Sequence, residues 1–167
     1  MNHVEMMQLA EAEAAKSVCK RAQVGAVVRY TSYEGCVSNP WTIATGHNKR
    51  PCGGVCEGED GRTLPDVMHA EHMAIDAALS IVIDDWEQYS MVESALYVTR
   101  QPCINCAKLI VNAGIKAVYY RDKDDKVDGI EHLLEYGVIV NSGWLKEQMR
   151  ARTLERIQRT WADRWQE

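Results

Sequence analysis

His69 and Glu71 stand two apart, and further along the chain Cys103 and Cys106 bracket the run Pro102-Cys-Ile-Asn-Cys106. A neutral imidazole and two thiolates are donors that tetrahedral Zn²⁺ prefers. Three protein ligands leave the fourth position to a water that the metal acidifies. Glu71 is the carboxylate left over, beside the histidine, where it can take and return that water's protons. The chemistry these four residues offer is metal-assisted hydrolysis. A CxxC alone would serve equally as a redox pair, a structural half-site or two thiols at a helix start. A closed structural zinc site would usually show a fourth Cys or His at tight spacing, and a zinc-stabilised interaction domain would leave Glu71 without a purpose.

The residues that follow each pair say how they are held. His69 opens the apolar series Met73, Ala74, Ala77, Ala78, Ile81, Val82, and the cysteines open Ala107, Leu109, Ile110, Ala113, which ends at Gly114. Both series have helical spacing, so both ligand groups are predicted at helix N-termini. Free N–H groups and the positive dipole end there favour thiolate over thiol. Pro102 is a stiff lead-in that needs no N–H. The strand that delivers the cysteines is Ala95-Leu-Tyr-Val-Thr99, after a polar interval from Asp84 to Glu93.

Around these units, Val4–Lys20 reads as an amphipathic helix, and Val24–Tyr30 with Trp41–Gly46 as a strand hairpin turning through Tyr33, Gly35 and Asn39-Pro40. His47–Val67 is loop-like, with glycines and prolines spread through it, and long loops in compact domains tend to be functional or disordered. Lys116–Tyr120 is the next strand, Asp128–Tyr136 a short helix and Val138–Val140 a last strand. Strands alternating with helices after an opening hairpin predict an α/β layer structure on a mixed five-stranded sheet. Ser142–Gln166 reads as a long C-terminal helix with Ser142 as N-cap and an apolar stripe of Leu145, Met149, Leu154, Ile157, Trp161 and Trp165, suited to packing or a subunit contact.

The 167 residues suffice for one domain with a sizeable core, expected over 1–167 with its body at about 4–140. A formal charge of −5 argues against a polyanion such as tRNA or duplex DNA as the main partner, though a small anionic substrate needs only a few local cations. No stretch has the apolar length of a membrane span. Six cysteines without an apolar leader over Met1–Ala10 suggest a reducing cytoplasm and free or metal-bound thiols rather than disulfides.

The combined pattern H-x-E…P-C-x-x-C is that of the zinc nucleobase deaminases, and the chain resembles the cytidine/deoxycytidylate deaminase superfamily, within it most the deoxycytidylate (dCMP) deaminases. The resemblance spans roughly residues 4–140. It rests on Ser17-Val-Cys-Lys-Arg-Ala-Gln-Val-Gly-Ala-Val28, Gly46-His-Asn-Lys-Arg-Pro-Cys-Gly53, Leu96-Tyr-Val-Thr99 and Pro102-Cys-Ile-Asn-Cys-Ala-Lys-Leu-Ile-Val-Asn-Ala-Gly-Ile115. It implies a cytidine-deaminase-like three-layer fold and zinc-dependent hydrolysis of dCMP to dUMP and ammonia, supplying dUMP for thymidylate synthesis. His69, Cys103 and Cys106 would hold zinc, while Glu71 would move protons between the zinc-bound water, ring N3 and the leaving ammonia. Ala70 would offer its backbone N–H to the base, Asn48 would bond the sugar, and Arg21 and Tyr120 would take the 5′-phosphate. Each of the last three has a plainer reading, as a turn asparagine, a helix-end cation and a packed strand tyrosine.

The family's commonly hexameric assembly and its control by dCTP and dTTP imply a homo-oligomer here, with Gly46, His47 and Lys49 in the effector loop. Departures stand beside these implications. His47 and Lys49 replace the family's tyrosine and second glycine in the loop where the family binds its effectors, and Met73 replaces an asparagine on the zinc helix, leaving room for a 5-modified dCMP or an altered sugar preference. A tRNA or other nucleic-acid base deaminase is the alternative that the basic C-terminal segment keeps open. Cys19, Cys52 and Cys56 are left over. Some members of the family carry a second, structural zinc tying the first helix to this loop, which these three could supply; buried free cysteines are the plainer reading.

Overall fold

A computed structural model describes residues 3–32, 41–84 and 89–142. Its elements run α1 (His3–Ala14), β1 (Gly25–Ser32), β2 (Trp41–His47), α2 (Ala70–Asp84), β3 (Tyr89–Arg100), α3 (Ile104–Asn112), β4 (Ala117–Asp122), α4 (Asp128–Glu135) and β5 (Ile139–Ser142). The sheet order is β2-β1-β3-β4-β5. β1 pairs antiparallel with β2 and β3, and β3-β4-β5 run parallel. This is the expected α/β architecture on a mixed five-stranded sheet.

Period-two alternation of the strands divides the core between two faces. Val27, Ala95 and Tyr97 meet Met6 and Ala10 of α1 on one side. Ala26, Val28, Leu96, Val98 and Val118 meet Ala74, Ile75 and Ala78 of α2 and Ala107 and Ile110 of α3 on the other. The result is three layers, with the two ligand-bearing helices sharing one face.

The first helix stops at Ala14 rather than Lys20. Ser17 ends the helical ladder by donating its hydroxyl to the Asn48 carbonyl at 2.8 Å, and the same oxygen accepts the Cys19 N–H at 3.2 Å. β3 begins at Tyr89, inside the expected polar interval, because Ser90 and Tyr89 pair with Thr31 and Ser32 of β1 beyond a register shift. Cross-strand pairing outweighs local polarity there. The hairpin turn at 33–40, Cys36 within it and the C-terminal helix expected after Ser142 lie outside the described residues.

Candidate active site

α2 and α3 point their N-termini toward one another at the carboxyl end of β3. His69 immediately precedes α2, and its carbonyl accepts the Met73 N–H at 3.2 Å. Cys103 is the N-cap of α3 in extended conformation, its carbonyl accepting the Ala107 N–H at 2.8 Å. Glu71 and Cys106 fall in the first turns. Gly129 at the start of α4 fixes the cysteine turn from behind. A methyl there would overlap the Pro102 carbonyl oxygen and come within 2.9 Å of the Cys103 carbonyl carbon.

The donors converge. His69 Nδ1 is 3.7 Å from Cys103 Sγ and 3.3 Å from Cys106 Sγ, and all three ligand atoms lie within 4.8 Å of one another. Tetrahedral zinc with ordinary Zn–S and Zn–N bonds needs S···N separations of roughly 3.5 Å, so the set fits the metal without rearrangement. Cys103 is held as a thiolate, its pKa pushed down to about 3 by hydrogen bonds from Cys106 and His69. The Cys106 thiol is pushed up, as the donor to Cys103 and by burial. His69 is raised by its bond to Cys103. Glu71 is buried, and that burial lifts its carboxyl above the usual glutamate range.

His69, Glu71 and Cys103 line a cleft of about 270 Å³, with Cys106 buried behind them. Four other expected residues reach it: Ala70, Asn48, Arg21 and Cys19. Ala70 opens α2, so its N–H belongs to the turn that has no intrahelical partner. Asn48 accepts the Val24 N–H through Oδ1 and donates through Nδ2 to the Ala22 carbonyl, each at 2.8 Å, which leaves one lone pair and one N–H free for another partner. Arg21 donates through Nη1 to Thr63 Oγ1 at 3.3 Å.

Tyr120 does not reach the cleft. Its register on β4 places it in the main core with Val118 and Val98, 4% exposed. Met73 is also absent from the cleft lining; a methyl on Gly46 would lie 2.6 Å from its Cβ, which places it at the close approach of β2 to α2. His47 Nδ1 pairs with Glu13 Oε1 at 2.8 Å, and Lys49 forms an isolated bridge with Met68.

The remaining cysteines depart from expectation. Cys19 and Cys56 form a disulfide with Cα atoms 5.0 Å apart, and Cys52 is free and exposed. Two sulfurs bonded to each other have no thiolate to give a metal, so the second zinc expected from Cys19, Cys52 and Cys56 is replaced by a covalent tie. The expectation of free or metal-bound thiols alone is corrected with it. The tie serves the same mechanical end, since it fastens the segment after α1 to the long loop. Glu57, next along, accepts the Lys20 and Arg21 N–H groups at 2.8 and 3.0 Å.

Sequence reading missed the polar lining residues Glu57, Thr63, Arg100, Gln101 and Asp124, as well as the apolar Ala22, Val24 and Val67. Arg100 and Gln101 were findable as the residues between a strand end and Pro102. Asp124 carries no local signal, being one acid in the charged run Arg121–Lys126.

Comparison with known proteins agrees with this geometry. Residues 1–122 match the family described as the cytidine and deoxycytidylate deaminase zinc-binding region. The chain belongs to that family, and zinc is its cofactor. It is 32% identical over 128 residues to the deoxycytidylate deaminase of Mycobacterium phage D29, covering 67% of this chain and 88% of that one. It is 34% identical over 116 residues to ComE operon protein 2 of Bacillus subtilis strain 168, covering 65% of this chain but only 53% of that one, so it spans about half of that relative's length. Among solved structures, the dCMP deaminase of cyanophage S-TIM5 in complex with dCMP and dUMP superimposes with a TM-score of 0.68 at 36% identity, over 85% of this chain and 98% of that one.

Proposed function

We propose that the protein hydrolyses dCMP to dUMP and ammonia, a deamination of a cyclic amidine that supplies dUMP for thymidylate synthesis. The observation that carries this reading is a buried carboxylate, Glu71, that lines the same cleft as His69 and Cys103 of the three-donor zinc-type cluster. The similarity to phage dCMP deaminases supports the choice of nucleotide.

His69, Cys103 and Cys106 would hold the metal. Bound zinc would lower the pKa of a coordinated water to about 7, making a nucleophile available near neutral pH. Glu71, fixed in the first turn of α2, would take a proton from water, deliver it to ring N3 as C4 is attacked, then take the proton of the hydroxyl formed at C4 and pass it to the departing amine. The Ala70 N–H orients the base, the free lone pair and N–H of Asn48 face the sugar, and Arg21 meets the phosphate. Burial around Glu71 excludes bulk water that would compete for these protons.

Assembly as a cytoplasmic homohexamer of single-domain subunits, regulated by dCTP as activator and dTTP as inhibitor through the loop of Gly46, His47 and Lys49, belongs to the same reading; its support is the resemblance of the chain to the family as a whole, since His47 and Lys49 themselves depart from the family's loop. Sedimentation, with dCMP kinetics in the presence of each triphosphate, tests it, and hyperbolic kinetics unmoved by either would remove the regulatory part. No helix among the described residues is long and apolar enough to cross a membrane. Ammonia release measured across CMP, dCMP, 5-substituted dCMP, deoxycytidine and dAMP tests the substrate. dCMP should rank first, and a higher rank for dAMP or deoxycytidine would overturn the proposal.

A further inference from the structure

One charge pair in the cleft is outside the catalytic set. Arg100 ends β3, three residues before Cys103, and its guanidinium donates to Asp124 Oδ2 through Nε at 3.2 Å and Nη2 at 2.7 Å. Both residues line the cleft with His69 and Glu71. Their side chains are 49% and 31% exposed. A pair this accessible adds little to fold stability and can be opened by a ligand that competes for it.

The carboxylate is placed there by buried structure. Gln101 accepts the Asp124 N–H through Oε1 at 3.3 Å and donates through Nε2 to the Lys126 carbonyl at 2.5 Å. Asp124 Oδ1 in turn accepts the Lys126 N–H at 3.2 Å. The loop following β4 is thus clamped to the base of the cysteine turn, with the Asp124 carboxylate held against Arg100. The Arg100 guanidinium keeps the Asp124 carboxyl below its usual range, so the pair is ionised at neutral pH.

A nucleotide entering base-first puts its phosphate at the exposed end of the cleft, where the guanidiniums are. Arg21 is tied there to the Thr63 hydroxyl, while Arg100 presents two N–H donors that converge on one carboxylate oxygen of Asp124 and that a phosphate oxygen can accept in its place. We propose that Arg100 is a phosphate-binding residue held in reserve by Asp124: the 5′-phosphate displaces the carboxylate and takes over its two N–H bonds, so that the pair sets the preference for a nucleotide over an unphosphorylated nucleoside. This rests on the reading of dCMP as substrate. A neutral sugar hydroxyl cannot displace the carboxylate, whereas a phosphate dianion can, and Asp124 lowers the affinity for every anion by the competition it imposes.

The signature is a pair of opposite effects. Arg100→Gln should raise KM for dCMP about tenfold or more, the scale of a lost charge-assisted bond, with kcat and deoxycytidine turnover little changed. Asp124→Asn keeps the Oδ1 acceptor for the Lys126 N–H but frees the guanidinium, and should lower KM for dCMP while leaving deoxycytidine unaffected. The double variant should behave as Arg100→Gln. A purely structural ion pair would give shifts of the same sign in both single variants, or equal shifts on dCMP and deoxycytidine, and either result would overturn the proposal. Parent activity separates this from the substrate reading. Absence of ammonia from dCMP overturns both, whereas normal dCMP turnover with same-sign shifts overturns this one alone.

Discussion

Replacing Glu71 by glutamine isolates proton transfer from everything else the site does. The side chain lies 4% exposed in the first turn of α2, and the amide is nearly isosteric, so the packing around it is retained. The fold loses one negative charge near a helix N-terminus, about 0.3–1 kcal/mol at most sites. The donors His69, Cys103 and Cys106 are untouched, and zinc content should stay at the parent level. The amide cannot take a proton from water or return one to the leaving amine. Loss of general acid–base catalysis costs roughly 10²–10⁴-fold, equivalent to about 2.7–5.5 kcal/mol of barrier at 1.36 kcal/mol per tenfold. The assay is single-turnover ammonia release from dCMP on protein whose zinc has been quantified in the same preparation. A zinc-loaded Glu71→Gln variant turning over within tenfold of the parent would refute the proton-shuttle assignment.

Three further outcomes follow from particular contacts. Gly129→Ala should push α4 off the Pro102–Cys103 backbone, costing roughly 1–3 kcal/mol as overpacking; differential scanning fluorimetry should show a lowered Tm and a chelator should strip the metal faster, and unchanged values of both would remove the close approach. Peptide mass mapping without reductant should find Cys19 joined to Cys56 and Cys52 alkylated, while a zinc-retaining Cys19/Cys56 pair that alkylates freely under non-reducing conditions would restore the second metal. For Glu13, burial raises the carboxyl but the bonds from Lys16 and His47 outweigh it, leaving the folded pKa lowered. Its stabilisation is therefore present above the unfolded value of about 4.3 and lost as pH falls through the lower folded value. Glu13→Gln should flatten that acid limb of stability, and an unaltered limb would contradict the sign.

Much of the site was legible because its chemistry and its local structure are encoded together. His69 and Cys103 each sit directly before an apolar series of helical period, and one such unit suffices to place a ligand at a helix start. The order of strands and helices followed from the same patterning, and so did the mixed sheet. What the sequence did not show depended on residues distant in the chain. Tyr120 stands at a strand end in the sequence, and the register of β4 against β3 sets it in the core. The end of α1 is set by a hydroxyl reaching Asn48, and β3 lengthens because β1 offers it a partner. Cys19 and Cys56 are 37 residues apart, and spacing alone does not distinguish a metal from a bond. Asp124 is brought to the cleft by contacts with Arg100 and Gln101, more than twenty positions earlier in the chain.

The most direct test of a zinc-dependent dCMP deaminase is to strip the metal with a chelator and titrate zinc back while following ammonia release from dCMP. His69, Cys103 and Cys106 form the metal-type cluster among the described residues, so activity should be absent from the stripped protein and return in proportion to zinc, saturating at one ion per chain. Undiminished dCMP turnover in zinc-free protein, or no turnover after one equivalent is restored to folded protein, would contradict the account.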